Sequence, residues 1–224
     1  MGIRARLAAL LLVLGAGAIA ADGLPTGIPP EVQALADAQA KTTSLAGTFR
    51  WFTGTVDGSG EVRERMGEFQ VVRRPGGAPS KYNLKLTDLE GADVHRWCSD
   101  GVKSWAIEQP IPEEQPTWRE LRPGAHDLDL DRIVACVLMD MPVLTRDFSM
   151  RFSDREGVRR LVFTPLTADL RQELVQVVVT LAGDDPREVL MDDTKGTRIR
   201  LVIKELAKDR EWPDIVFSPL PKQP

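Results

Sequence analysis

From Leu45 onward the apolar residues of this chain fall on alternate positions. Leu45, Gly47, Phe49 and Trp51 share one side of an extended segment, because successive side chains of a strand point to opposite faces. Asp57-Gly-Ser-Gly60 reads as a turn, and Glu61 to Arg74 as a second strand in which Phe69 and Val71 keep one parity. Tyr82, Leu84 and Leu86 alternate in a third. Val94 to Ser99 and Val102 to Glu108 flank Asp100-Gly101, and an Asp-Gly between two such runs signals a β-hairpin. The same pattern returns at Phe148 to Phe152, Val158 to Thr164, Glu173 to Ala182, Glu188 to Asp192, Arg198 to Glu205 and Ile215 to Ser218, with turns at Gly183–Pro186 and Asp193–Gly196.

Two stretches break this period. Pro29-Pro30-Glu31 opens a helix, prolines being suited to its first positions. Val32, Leu35, Ala36 and Gln39 then lie at helical spacing as far as Thr42-Thr43. Between Asp127 and Met141, Leu130, Ile133, Val134, Val137, Leu138 and Met141 form a wide helical stripe. Asp127 or Asp129 is its N-cap and Pro142 its end. Gln109 to Pro123 holds four prolines and reads as an irregular crossing segment. The order predicts an α+β fold: a curved antiparallel sheet whose apolar face one or two helices cover.

The N-terminus adds a compartment. Arg4 and Arg6 precede a continuous apolar run from Leu7 to Ile19, closed by Ala18-Ile19-Ala20. A basic start, an apolar stretch too short for a membrane span and a small-x-small site make a cleaved signal peptide over residues 1–20. Residues 21–224 are then one exported, soluble domain, the right size for a single core. The first cysteine is Cys98, so nothing near the cleavage site could carry a lipid. Export permits a Cys98–Cys136 disulfide, the alternative being two small buried hydrophobes.

Charge and motifs exclude more than they suggest. The net charge is −4, and it becomes more negative when Arg4 and Arg6 leave with the leader; a nucleic-acid binder would need a basic face. His95 and His126 have no partner at metal-ligand spacing, and no hydrolase, metalloprotease, phosphate-loop or C-x-x-C motif occurs. Asp127, Asp129 and Asp131 suit the positive end of a helix as well as they suit an ion. The reading is therefore no catalytic residue, no metal and no cofactor. What remains is an apolar sheet face, either an ordinary core or the wall of a lipid pocket.

Six local patterns in order resemble the periplasmic lipoprotein carrier family LolA, with its relative LolB. They are "SLAGTFRW" with "DGSG", "GEFQVVRRP", "WCSDGVKSWAIEQP", "LVFTPL", "DDTKGTRIRLVI" and "IVFSPLP", spread over nearly the whole mature chain. The resemblance implies an incomplete antiparallel β-barrel with helices covering its concave face. It implies a soluble, monomeric periplasmic carrier whose cavity takes the acyl chains of lipoproteins from an inner-membrane transporter and passes them to an outer-membrane acceptor. A lipid-binding sensor on the same half-barrel is the alternative. The cavity would be lined by Leu45, Phe49, Trp51, Phe69, Val71, Tyr82, Leu84, Trp105 and Ile107 from the sheet, and by Ile133, Val137 and Met141 from the helix. An arginine at the end of the second strand holds the closed lid in the family. Arg74 matches by the proline that follows it, and Arg73 matches by the count from Gly67. With Cys98 inside, a disulfide to Cys136 would tether the lid to the barrel.

Overall fold

The structure is a computed structural model; it describes residues 28–74, 80–90, 94–109, 117–121 and 130–219. Six strands precede the helical insertion: β1 (Ser44–Thr55), β2 (Arg63–Val72), β3 (Lys81–Thr87), β4 (Val94–Ser99), β5 (Ser104–Gln109) and β6 (Thr117–Leu121). Five follow it: β7 (Phe148–Arg155), β8 (Val158–Pro165), β9 (Leu174–Ala182), β10 (Asp185–Asp193) and β11 (Thr197–Lys208). All eleven form one sheet in the order β6-β5-β4-β3-β2-β1-β11-β10-β9-β8-β7. The first and last strands of this alternating chain meet at its centre, where β1 pairs antiparallel with β11. The sheet does not close on itself, so it is an open half-barrel with β6 and β7 as its edges.

The helices lie on one face, termed inner here. They are α1 (Pro30–Ala40), α2 (Leu130–Leu138) and α3 (Met141–Asp147); α4 (Ala168–Glu173) is a short insertion between β8 and β9. Val32, Leu35 and Ala36 of α1, Ala135, Cys136 and Leu138 of α2 and Leu144 of α3 share one core with the inner residues Leu45, Phe49, Leu161, Phe163, Val177 and Val179. Burial of such side chains contributes about 1.5–3 kcal/mol each, which is what keeps the helices on the sheet.

The register bends where the sheet must curve. Between β1 and β11 it shifts after Thr48, which pairs with Glu205, so that Phe49 pairs with Ile203 and Lys204 is the extra residue. A bulge of this kind re-aims a strand and increases its twist.

Several elements differ from the sequence reading. The proline-rich segment contains a strand, β6, because Thr117–Leu121 is free of proline and finds β5 as partner. The inserted helix is two: α2 ends at Leu138, Met139 takes a φ of 54°, and Pro142 sits in the first turn of α3 instead of ending its predecessor. Ile215 to Ser218 is not a strand; Asp214–Phe217 is a single 3-10 turn. The leader at 1–20 and the N-cap candidates Asp127 and Asp129 lie outside the described residues, as do the side chains of Ile107 and Ile133.

Candidate functional site

The inner face carries an apolar cavity of about 70 Å³ beneath α2. Its floor is Phe49, Trp51, Phe69, Val71, Tyr82 and Leu84 from β1–β3, with Val189, Met191, Leu201 and Ile203 from β10–β11. Val134 and Val137 of α2 form its roof.

The floor is shaped by two reciprocal pairs. Gly47 pairs with Phe69 and Phe49 pairs with Gly67 across β1 and β2. A Cβ at Gly67 would stand 2.3 Å from Cζ of Phe49 and 2.6 Å from the Lys85 carbonyl oxygen; one at Gly47 would stand 2.0 Å from the Glu205 carbonyl oxygen. Each glycine thus lets a ring and a neighbouring strand approach where no side chain fits. Phe49 contacts Phe69 and Trp51 at 6.2 and 6.5 Å between ring centroids, and Trp51 stacks on Trp97 at 6.5 Å and 14°.

Arg73 ties the ends of two helices to β2. Its Nε donates to the carbonyl of Thr42 at 3.4 Å, and Nη2 to those of Gln39 at 3.5 Å and Leu138. One guanidinium thus reaches the C-terminal ends of α1 and α2, where helices leave carbonyls without intrahelical partners. Burial pushes the Arg73 pKa down, and the charge of Asp140 opposes that shift. Arg74 has another role: its Nη1 donates to the Gly101 carbonyl at 3.1 Å, in the turn between β4 and β5. Of the two candidates, Arg73, matched by the count from Gly67, is the one that reaches the helix ends. Pairing of β2 with β1 runs without a bulge to Val72, and the Arg73 N–H bonds Thr43, so Phe69, Val71 and Arg73 keep one parity.

Most of the expected wall is assembled. Phe49, Trp51, Phe69, Val71, Tyr82, Leu84 and Val137 line the cavity, while Leu45 is buried in the adjoining core and Met141 packs at its margin. Trp105 is elsewhere. It pairs with Cys98, whereas Trp97 pairs with Leu84 and Ala106, so Trp97 takes the inner face and Trp105 the outer one. Ile107 takes the register position of Arg96. The hairpin has a four-residue turn, Ser99 pairing with Ser104, and any even turn length puts Trp97 and Trp105 on opposite faces. Val134, Val189, Met191, Leu201 and Ile203 were missed, although their alternation within their own elements was visible.

The outer face is crossed by the C-terminal segment. Ser44 Oγ donates to the Arg210 carbonyl, Lys81 pairs with Asp214, and Arg96 Nη2 donates to the carbonyls of Val216 at 2.6 Å and Ser218 at 3.4 Å. Arg96 Nε donates to Asn83 Oδ1, and Asn83 Nδ2 to Gln70 Oε1. Cys98 shares that face with Asn83, its cross-strand partner, while Cys136 belongs to the inner core. Both are buried free thiols. Of the two readings the sequence left open, the structure has the two small buried side chains and not the bond: the sheet stands between Cys98 and Cys136.

No protein-family model matches the sequence. No curated protein matches it either. Solved structures do. A DUF1329 family protein from Desulfovibrio piger covers 84% of this chain and 95% of its own, at a TM-score of 0.51 and 11% identity. At that identity the likeness is one of fold alone: the open half-barrel is shared. A domain described as outer membrane lipoprotein-sorting, from Vibrio parahaemolyticus, covers 84% of this chain and 94% of its own at TM-score 0.47 and 10% identity. A LolA superfamily protein from Nitrosomonas europaea covers 84% and 97% at TM-score 0.39 and 14% identity. Among the described residues, no helix is long and apolar enough to cross a membrane.

Proposed function

We propose that this protein is a periplasmic carrier that takes the acyl chains of lipoproteins into the cavity under α2 and moves them from the inner to the outer membrane. The observation that carries this reading is the roof. Val134 and Val137 fill the space above an aromatic floor, and Arg73 holds the helix ends by backbone carbonyls alone. Pockets for drug-sized ligands run to about 300–1,000 Å³, so the remaining 70 Å³ is the closed state of a site that opens when α2 lifts.

Displacement also solves the problem of release. Burying an acyl chain is worth about 0.8 kcal/mol per methylene. Several long chains in a ready-made cavity would pass the ceiling of about 18–21 kcal/mol for non-covalent binding, and such a carrier could not unload. Where each chain replaces valine contacts that the empty protein already makes, the net gain is smaller, and cargo can move on to an acceptor.

Native mass spectrometry of protein taken from the periplasm without detergent tests this. A fraction carrying a triacylated lipoprotein, released on denaturation, is the expected result. Free phospholipid or fatty acid as the sole companion would replace the carrier by a lipid sensor or shuttle. Protein that is empty and takes up no added lipoprotein would reduce the cavity to a packing defect.

A further inference from the structure

Gln39, at the end of α1, joins two distant parts of the fold. Its carbonyl accepts from Arg73 Nη2, and its Nε2 donates across the fold to the Asp184 carbonyl in the turn between β9 and β10. That second bond fixes which way the side-chain amide faces. The other end of the amide, Oε1, is buried and has no hydrogen-bond partner among the described residues, in a side chain only 3% exposed.

Gln39 lines a second, mostly apolar lobe beside α2. Leu35, Val137, Met139, Leu161 and Val179 are among its walls. The closed lobe has about 0 Å³ of room for a water-sized atom, and a water needs at least one such volume and two or more polar partners. A buried acceptor left unpaired is costly, and most native ones are paired. The exceptions concentrate where a ligand arrives. Val137 lines both lobes, so lifting α2 to admit a chain also opens the space in front of Oε1.

We infer that Gln39 is a specificity-determining residue for the cargo: its Oε1 accepts the N–H of an amide-linked acyl chain once α2 has moved. The inference rests on the carrier reading above. An amide supplies the donor that an ester, a thioester or a free fatty acid lacks, and a site with a buried polar group rejects the ligand that leaves it unpaired.

The test uses two probes that differ in one group, N-palmitoylethanolamine and 2-hydroxyethyl palmitate, titrated against the purified protein with Trp51 and Trp97 fluorescence as the signal. The wild type is expected to bind the amide about three- to tenfold more tightly than the ester. Gln39→Leu should bring the ratio to one. It also removes the bond to Asp184 and so loosens α1 for both probes, which is why the ratio and not the affinity is read. Gln39→Glu keeps an acceptor and should keep the preference. Equal affinities in the wild type, or a preference that survives in Gln39→Leu, would overturn the assignment while leaving the carrier reading intact. Binding of neither probe, by wild type or by Arg73→Leu, would remove both.

Discussion

Arg73 and Arg96 do the same chemistry on opposite faces of one sheet, and their surroundings differ. Each donates to backbone carbonyls of a segment laid over the strands: Arg73 to the ends of α1 and α2, Arg96 to the C-terminal segment at Val216 and Ser218. Arg96 is braced by a relay through Asn83 to Gln70, and the segment it holds seats Phe217 at 1% exposure. Arg73 has no such brace from a side chain in the bonds described. Two of its contacts are long, at 3.4 and 3.5 Å, and the helix it holds roofs a cavity. One arginine fastens a packed segment; the other fastens an element with space behind it. On the proposed function, the same guanidinium–carbonyl clasp serves as a latch over the cavity and as a structural pin on the other face.

The largest expected effect separates the two. Arg96→Leu strands Asn83 Oδ1 and two carbonyls and should lower the unfolding free energy by about 3 kcal/mol, since bonds to charged groups and unpaired buried acceptors are each worth a few kcal/mol. Arg73→Leu also strands carbonyls, but two of its three bonds are long and it removes a desolvated cation, so it should cost less, about 1 kcal/mol. Urea titrations with a common slope read both. A larger loss for Arg73 would reverse the comparison.

Gly67→Ala comes next, and it disturbs the inner floor without touching either arginine. Its Cβ meets the Phe49 ring and, less yieldingly, the Lys85 carbonyl oxygen. Overpacking of this kind costs about 1–3 kcal/mol, read as a fall in the urea midpoint. Stability equal to wild type would mean that the floor yields, and that the roof alone defines the cavity.

A smaller effect, in rate and not in stability, uses the two thiols as reporters. Cys136 sits in α2 and Cys98 on the face that the C-terminal segment crosses. Arg73→Leu should speed alkylation of Cys136 and leave Cys98 slow, and Arg96→Leu should do the reverse; mass spectrometry of the alkylated peptides distinguishes them. Burial pushes the Cys98 thiol up to about 11 from 9.0. Because the thiolate is the nucleophile, native Cys98 stays unreactive at pH 8. The sign for stability follows: the folded state holds the proton more tightly, so this contribution is complete below pH 9 and is lost as pH rises towards 11.

The two faces were unequally legible in the sequence. The inner face showed in the alternation of Phe49, Trp51, Phe69, Val71, Tyr82 and Leu84, because one-sided burial imposes period two on a strand. Arg73 followed from the same parity, and anchoring on Pro75 obscured it. The outer segment was not legible. Ile215, Val216 and Phe217 look like a strand, and it takes a tertiary partner, the Arg96 guanidinium on the Val216 carbonyl, to hold them off the sheet as a 3-10 turn. The break at Met139 was hidden for a related reason: a non-glycine residue at a φ of 54° carries no local signal, and the stripe on either side reads as one helix. The placing of Trp97 inside and Trp105 outside needed the neighbour strand β3, which pairs Leu84 with Trp97.

The smallest effect concerns how the outer segment begins. Asp209 Oδ1 accepts from the Thr43 N–H at 2.7 Å and the Thr43 hydroxyl at 3.0 Å. These bonds, the backbone one foremost, hold its carboxyl below the ordinary range. A carboxyl whose folded pKa is depressed stabilises above its unfolded value of 3.8 and loses that contribution as pH falls through the folded value. The Arg73 guanidinium itself does not titrate there, because it stays charged throughout acid. Acid should therefore loosen the outer segment first. Hydrogen exchange at pH 3 should show lost protection at residues 209–218 before α2, and Asp209→Ala should show the same loss at neutral pH. If α2 opens first in acid, the outer segment is not the acid-sensitive closure, and the carboxylates near the lid must be the groups that respond.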